Sequence, residues 1–285
     1  LAGGFPCQDL SQAGRTGGIQ GAKSGLVSEM FRIMETMRPQ PRWVLFENVP
    51  FMLQLDQGRA MAHLTGEMSR LGYRWAYRVV DTRAFGLPQR RQRVIMLASK
   101  VEDPKSVLFA DEAGEPDIRE IPAQTAFGFY WTEGVRGLGW AVDCVPTLKG
   151  GSTVGIPSPP AVWLPDGRMV TPSITDAERL QGFPRGWTAP AAPSCQRNGP
   201  RWKLVGNAVS VPVARWLGRR LATPGRPETR LTPMTSTRWP KAAYGEAGRV
   251  YEARDLSLWP VRYKYTSLTS VIKGPRLLSL RATTG

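Results

Sequence analysis

The 285-residue sequence has little of the chemistry on which many enzymes depend. It contains one histidine, His63, in a helical pattern, which argues against Cys–His and Ser–His catalytic pairs. Its three cysteines, Cys7, Cys144 and Cys195, are odd in number and far apart, so they predict neither a disulfide framework nor a zinc site. The sequence shows no apolar run long enough to span a membrane and no signal peptide, so we expect a protein of the reducing cytoplasm.

Acidic residues are scarce relative to basic ones. The sequence has 38 Lys and Arg against 23 Asp and Glu, which gives a formal charge of +15. A surplus of this size favours a polyanionic partner, with nucleic acid ahead of a membrane surface. A basic surface without a partner is the open alternative. Since histidine is nearly absent, carboxylates or water must carry any acid–base chemistry.

Apolar residues follow helical and strand spacing in turn along the first hundred residues. Helices are predicted within 24–39 and 58–73, because apolar residues recur there every three or four positions. Strands are predicted at 43–48, 73–82 and 93–99 from short apolar or alternating runs. This order predicts an α/β fold with a doubly wound sheet, in which functional loops follow the carboxyl ends of strands.

The pattern changes twice along the rest of the chain. After a partial catalytic domain at 1–100, residues 101–160 are rich in Gly, Pro and aromatic residues and predict a small, irregular β-rich module. Residues 161–221 predict a return to the catalytic domain. Residues 222–285 carry 11 basic against 4 acidic residues and predict a basic C-terminal appendage.

Local signals within 161–221 predict a hairpin and two helices. The hairpin turns at Asp166–Gly167. One helix is predicted from a capping box formed by Thr175 and Glu178. The other is predicted from Ser210 as N-cap, with Pro212 in the first turn.

Three polar stretches stand out against these apolar elements. They are the glycine-flanked Pro6–Cys7–Gln8, the strand-ending Glu47–Asn48, and the basic run at 88–94, "PQRRQRV". Taken singly, each fits a structural cysteine, a capping carboxylate or a solvated face. Taken together, they suit an electron-poor heterocycle: a thiolate attacks a ring carbon, a carboxylic acid protonates a ring nitrogen, and arginine holds an exocyclic oxygen.

Five stretches in this order, "GGFPCQDLSQAG", "ENV", "QRRQRV", "RLQGFP" and "GNAV", resemble the motifs of DNA (cytosine-5) methyltransferases. The resemblance covers residues 3–221. It implies a Rossmann-like methyltransferase sheet, with residues 101–160 as a target-recognition module. It also implies methyl transfer from S-adenosyl-L-methionine to C5 of a cytosine flipped out of duplex DNA. The resemblance further implies a bacterial or phage modification enzyme of a restriction–modification system, so we expect it at the nucleoid of a bacterial cytoplasm.

The resemblance implies a role for each catalytic residue. Cys7 attacks C6 of the target cytosine. Glu47 contacts N3 and the exocyclic amine and supplies a proton. Arg93, with Arg91 and Gln89 beside it, holds the cytosine oxygen.

Further residues fall into two sets by resemblance. Those implied for the cofactor are Pro6, Leu26, Asn207, Ala208 and Val209. Those implied for DNA are Gln8, Ser11, Asn48, Gln89, Arg136 and Lys149. The aromatic residues around Arg136 fit a small core equally well. No metal ligand is expected, and Cys144 and Cys195 have no implied role.

One family feature has no counterpart in the sequence. The family opens with a glycine-rich strand–turn–helix that binds the cofactor, and no such pattern precedes Gly3 or follows "GNAV". We therefore expect a fragment or one half of a split enzyme, lacking N-terminal strands and weak or inactive without a cofactor-binding segment or subunit. A non-catalytic DNA-binding remnant and an RNA methyltransferase of the same chemistry remain alternatives.

Overall fold

The computed structural model describes residues 1–5, 25–117, 120–130, 139–150, 159–191 and 199–278. Its strands are β1 Ala2–Gly4, β2 Val44–Asn48, β3 Arg74–Asp81, β4 Gln89–Arg90, β5 Gln92–Ser99, β6 Phe127–Phe129, β7 Ala141–Val142, β8 Val145–Pro146, β9 Ala161–Trp163, β10 Met169–Thr171, β11 Thr232–Pro233, β12 Ala242–Glu246, β13 Arg249–Glu252 and β14 Arg276–Leu277. Its α-helices are α1 Gly25–Thr36, α2 Arg59–Arg70, α3 Lys105–Leu108, α4 Ile174–Leu180, α5 Gly199–Asn207, α6 Val211–Ala222 and α7 Leu268–Val271. Among the described residues, no helix is long and apolar enough to cross a membrane.

The chain divides into two compact units. The first unit comprises Leu1–Val80, Gln92–Glu115 and Leu217–Val261, and the second comprises Asp81–Arg91, Pro116–Trp216 and Arg262–Gly285. The sequence-based division into four segments remains a prediction.

The first unit is built on a mixed sheet. In its described part seven strands run in the order β1-β2-β5-β3-β12-β13-β11. β1 is parallel to β2, whereas β2 pairs antiparallel with β5, and β3 pairs antiparallel with β12. The predicted α/β class is confirmed, with a sheet that is mixed in strand direction.

The two long helices of this unit each bury one apolar stripe, as their sequence spacing predicts. α1 and α2 bury the side chains of Val27, Phe31, Met34, Met61, Leu64 and Met68. The predicted helices at 24–39 and 58–73 are confirmed. So are the predicted strands, which correspond to β2, β3 and β5.

The segment predicted to be a basic appendage contributes strands to this sheet. β12 pairs with β3 through Ala243 and Tyr77, and β13 and β11 follow it. Ala242, Ala243 and Tyr244 are buried, so apolar packing rather than charge decides where this stretch lies. A Cβ at Gly245 would lie 2.2 Å from the Trp75 ring, so this strand position requires glycine.

The second unit contains a small antiparallel sheet. Its described strands run in the order β14-β10-β9-β6-β7, and β4 pairs with β8 in a separate parallel pair. The predicted hairpin at Asp166–Gly167 is confirmed, since β9 and β10 pair on either side and Gly167 has φ +85°. A core of apolar side chains underlies these elements: Ala126, Val145, Leu148, Val162, Val170, Ile174, Ala177, Leu180, Trp202, Val205, Leu268, Val271 and Ile272.

The helix predicted near 175 forms, but the predicted capping box is wrong. Ser173 is the N-cap: its hydroxyl accepts from Asp176 N–H, and the Asp176 carboxylate accepts from Ser173 N–H. Glu178 does not fill the role assigned to it because its buried carboxylate accepts from the backbone N–H groups of Gly186 and Thr188.

Candidate active site

At the end of β2, the Glu47 carboxylate and the Asn48 amide point to opposite faces of the sheet. Successive strand side chains point to opposite faces, so Phe46 and Asn48 are buried while Glu47 is half-buried. Glu47 pairs in register with Gly4 of β1 and Ile95 of β5. Because β1 and β2 are parallel, their carboxyl ends share one edge of the sheet, and Glu47 lies at that edge.

Glu47 forms an ion pair with Arg93. Arg93 precedes Ile95 by two residues in β5, which puts it on the same face as Glu47 and diagonal to it. Its Nε lies 2.8 Å from Glu47 Oε1, and the two side chains are 15% and 18% exposed. A Cβ placed on Gly4 would lie 3.7 Å from Glu47 Oε2, so this side of the carboxylate faces bare backbone. The pair is therefore shielded, with its charged groups held in a fixed arrangement.

Asn48 fixes the chain where β1 ends. Its Nδ2 donates to the Phe5 carbonyl at 3.0 Å, and its Oδ1 accepts from Val49 N–H at 2.8 Å. The Phe5 ring packs edge-on against Phe46, with centroids 5.7 Å apart. The chain continues from Phe5 to four residues with implied roles that lie outside the described ones: Pro6, Cys7, Gln8 and Ser11.

Gln89 lies in the interior of the second unit. Its side chain is 0% exposed. Nε2 donates to the Leu180 carbonyl at 3.0 Å and to Gln181 Oε1 at 3.3 Å, and Oε1 accepts from Leu148 N–H at 3.1 Å. This amide is enclosed by protein groups and presents no surface to DNA in this arrangement.

Arg91 is also buried, at 1% exposure. Its Nη2 donates to the carbonyl of Gly206 at 3.1 Å and to that of Ala208 at 2.8 Å. Arg91 therefore holds the backbone of "GNAV" through hydrogen bonds from the protein interior. Asn207 and Val209 in the same segment are exposed. Of the two predicted arginines, the structure places Arg93 on the carboxylate and Arg91 on these carbonyls.

Lys149 lies close to the same "GNAV" segment. Its Nζ is 4.0 Å from the centroid of the Tyr130 ring, a cation–π contact. The adjoining Gly150 backbone rests directly on α5, because a Cβ on Gly206 would lie 2.2 Å from Gly150 N. Arg136 lies outside the described residues.

Comparisons with known proteins identify the family of the chain. Residues 1–127 match the family model for C-5 cytosine-specific DNA methylase. Type II methyltransferase M2.BsuMI of Bacillus subtilis (strain 168) is 48% identical over 296 residues, covering 100% of this chain and 76% of that protein. The chain belongs to the C-5 cytosine-specific DNA methylase family.

A more distant relative agrees with this membership, and a solved structure agrees with the fold. Type II methyltransferase M.DsaV of Dactylococcopsis salina is 26% identical to the methyltransferase over 250 residues, covering 78% of this chain and 68% of that protein. A solved Entamoeba histolytica methyltransferase, EhMeth, superposes with a TM-score of 0.51 at 12% identity, covering 77% of both chains. This last likeness concerns the fold alone and confirms the predicted methyltransferase fold class.

Family membership makes the protein a DNA cytosine-5 methyltransferase, and methyltransferases in general use S-adenosyl-L-methionine. The exposed amide of Asn207, next to Ala208 and the 39% exposed side chain of Val209, fits a ligand with both polar and apolar groups. Leu26 lies in the first turn of α1, and its side chain is outside the described part of the structure.

Sequence reasoning missed two residues of the methyltransferase that the structure places beside its motifs. Gln181 is buried between α4 and "GNAV", and Gly206 supports Gly150. A glutamine directly after the apolar Leu180, at a helix end, was a usable signal for Gln181. The contact of Gly206 joins segments far apart in the chain, which no local pattern reveals.

Gly206→Ala in the methyltransferase is expected to lower the unfolding free energy by at least about 2 kcal/mol, because the added methyl group collides with backbone that cannot rotate away. Gly218→Ala is the matched control, since that helical glycine has no heavy atom within 4 Å of an added Cβ. It is expected to be neutral or to stabilise by up to about 1 kcal/mol. Urea unfolding of both variants provides the measurement, and equal midpoints would contradict the close contact.

Proposed function

We propose that this methyltransferase methylates C5 of a cytosine flipped out of duplex DNA, through a covalent bond between Cys7 Sγ and C6 of the base. The observation that carries the proposal is the shielded Glu47–Arg93 pair at the edge from which the chain continues to Cys7. Flipping is required because stacking shields C6 within a duplex. The Type II relatives support a role in restriction–modification, with the recognised sequence protected by methylation.

The chain's own residues prepare the base for methylation. The Cys7 thiolate adds to C6, the electron pair of the ring moves to N3, and Glu47 delivers a proton there. C5 thereby gains carbanion character. Arg93 donates to the exocyclic oxygen of the base and keeps the Glu47 carboxyl group in place. Bound S-adenosyl-L-methionine would supply an electrophilic methyl group to C5. The aromatic ring is then restored when the C5 proton passes to water, the Cys7 thiolate leaves C6, and N3 returns its proton to the Glu47 carboxylate.

Other residues act by positioning or binding. Asn48 fixes the Phe5 carbonyl, and thereby the point from which the chain continues to Cys7. Gln89 and Arg91 act from the interior on backbone groups. The proposed DNA contacts are Gln8, Ser11, Arg136 and Lys149. The proposed cofactor contacts are Pro6, Leu26, Asn207, Ala208 and Val209.

The test is transfer of labelled methyl from S-adenosyl-L-methionine to mixed-sequence duplex DNA, followed by nucleoside analysis. We expect label in 5-methyldeoxycytidine. A second arm adds a polypeptide carrying the family's glycine-rich cofactor segment, which we expect to increase the activity. DNA binding without methylation in either arm would overturn the proposal in favour of a binding remnant. Preferential labelling of tRNA would overturn the choice of substrate.

DNA binding by the methyltransferase is expected to weaken steeply with salt, because lysine and arginine contacts release counterions from phosphates. With six or more phosphate contacts, affinity should fall about 10³-fold between 50 and 200 mM salt. Fluorescence anisotropy on a labelled duplex at several salt concentrations measures the slope. A flat response would show that the charge of +15 does not act on DNA.

A further inference from the structure

A buried amide lies at the centre of the second unit and is not explained by packing alone. Gln181 is 0% exposed. Its Nε2 donates to the Val205 carbonyl at 2.8 Å, and its Oε1 accepts from Ser210 Oγ at 2.6 Å and from Gln89 Nε2 at 3.3 Å. Gln181 thus holds both ends of the stretch 205–210, which contains "GNAV".

The same network reaches the segment that carries Lys149. Gln89 Oε1 accepts from Leu148 N–H, so the chain of contacts runs from Leu148 through Gln89 to Gln181. The two segments also touch directly, where the Gly150 backbone rests on Gly206. The segment with the proposed DNA contact Lys149 and the segment with the proposed cofactor contacts are therefore joined through two side chains, those of Gln89 and Gln181.

Side-chain amides suit this junction because their hydrogen bonds form only within a narrow range of distances and angles. Each buried donor and acceptor needs a partner, so a shift of either segment breaks a hydrogen bond instead of sliding along an apolar surface. A methionine of similar volume at position 181 would fill the space without fixing the register. The hydrogen bonds of Gln181 therefore specify a register that the filled volume alone would not.

We propose that Gln181 is a positioning residue that sets Asn207–Val209 against Leu148–Gly150, and thereby couples recognition of the DNA sequence to the cofactor segment. The coupling to DNA and cofactor rests on the proposed function. The positional effect on Leu148 is a property of the fold and is testable without activity.

The first test is hydrogen–deuterium exchange on Gln181→Met. The Leu148 amide does not touch Gln181, yet we expect its exchange to accelerate about tenfold, as loss of one buried hydrogen bond would allow. Amides of 205–210 should accelerate as well. Gln40→Met, at an exposed position, is the matched control and should change neither region. Unchanged exchange at Leu148 in the Gln181 variant would overturn the proposal.

Ser210→Ala keeps the test decisive if Gln181→Met does not fold. It removes one donor to Gln181 Oε1 and leaves the amide in place. We expect a smaller acceleration at Leu148, about threefold. An effect confined to residues 205–212 would overturn the proposed link to Leu148.

The second test measures selectivity on plasmid DNA by sequencing of methylated cytosines. We expect Gln181→Met to lower the ratio of methylation at the preferred site to that at other sites by about tenfold, while total methylation falls less. A uniform loss at all sites would overturn the coupling and leave only a structural role. A wild-type protein that methylates no DNA would refute the proposed function instead, and the exchange experiment would still decide the role of Gln181.

Discussion

Replacing Cys7 with alanine is expected to abolish covalent capture of duplex DNA that contains 5-fluorocytosine. The thiolate is the only atom in the proposed mechanism that bonds to C6, so no other residue can replace it. Once C5 carries the transferred methyl group, its fluorine cannot leave as a proton does, so the wild-type adduct persists and migrates as a shifted band on a denaturing gel. Methyl transfer should fall at least about 10³-fold, the scale seen when a covalent nucleophile is removed.

Non-covalent DNA binding should survive the Cys7 substitution. Alanine removes one sulfur atom and leaves the basic residues that contact phosphate, so the Kd for duplex DNA should stay within about threefold. Anisotropy with unmodified duplex separates this binding from capture. Loss of both would indicate that the substitution disturbs the fold, and retained capture would remove Cys7 from the mechanism.

Cys144→Ala is the matched control for the loss of a thiol. Cys144 is buried, and burial raises the pKa of its thiol to about 11. At pH 8 this thiol is protonated and enclosed, so it is not available as a nucleophile. We expect the variant to capture 5-fluorocytosine DNA as the wild type does.

The placement of Glu47 could be predicted from the sequence, but its partner could not. An apolar strand that ends in Glu and Asn indicates a polar edge, and the structure places Glu47 there. The run "QRRQRV" offers three arginines without indicating which one meets the carboxylate. The pairing of Glu47 with Ile95 decides this, because it puts Arg93 diagonal to Glu47. Register between distant strands is a tertiary property, so spacing within one segment does not reveal it.

In two other regions, the local sequence pattern does not determine which structure forms. Both "SITD" and "TDAE" fit a capping box. The structure uses "SITD", because the Glu178 carboxylate of "TDAE" accepts hydrogen bonds from the backbone N–H groups of Gly186 and Thr188 instead. The stretch "AAYGE" shows no clear alternation, yet it forms β12 because β3 supplies a partner and Trp75 requires a glycine opposite. Strand propensity depends strongly on such neighbours, which lie far away in sequence.

Glu47→Gln is expected to lower kcat by about 10²- to 10⁴-fold, the range for loss of a positioned general acid. Glutamine has nearly the same shape and can still accept from Arg93 Nε, so the position of the Arg93 side chain should persist. Its amide cannot deliver a proton to N3, and without that proton the electron pair displaced by Cys7 has no favourable destination. Covalent capture of 5-fluorocytosine DNA should therefore slow in the same proportion as methyl transfer, with DNA affinity unchanged.

Glu67→Gln separates this effect from the general loss of a Glu–Arg pair. Glu67 pairs with Arg70 on the surface of α2, at a distance of 2.8 Å, in the same unit as Glu47. Exposed pairs of this kind contribute little, so kcat and capture should match the wild type. If Glu47→Gln raised KM for DNA while kcat stayed constant, Glu47 would be a binding residue and the proton would have to reach N3 from water. If kcat and the capture rate fell together at constant affinity, the carboxyl group held by Arg93 would be the proton source for the addition step.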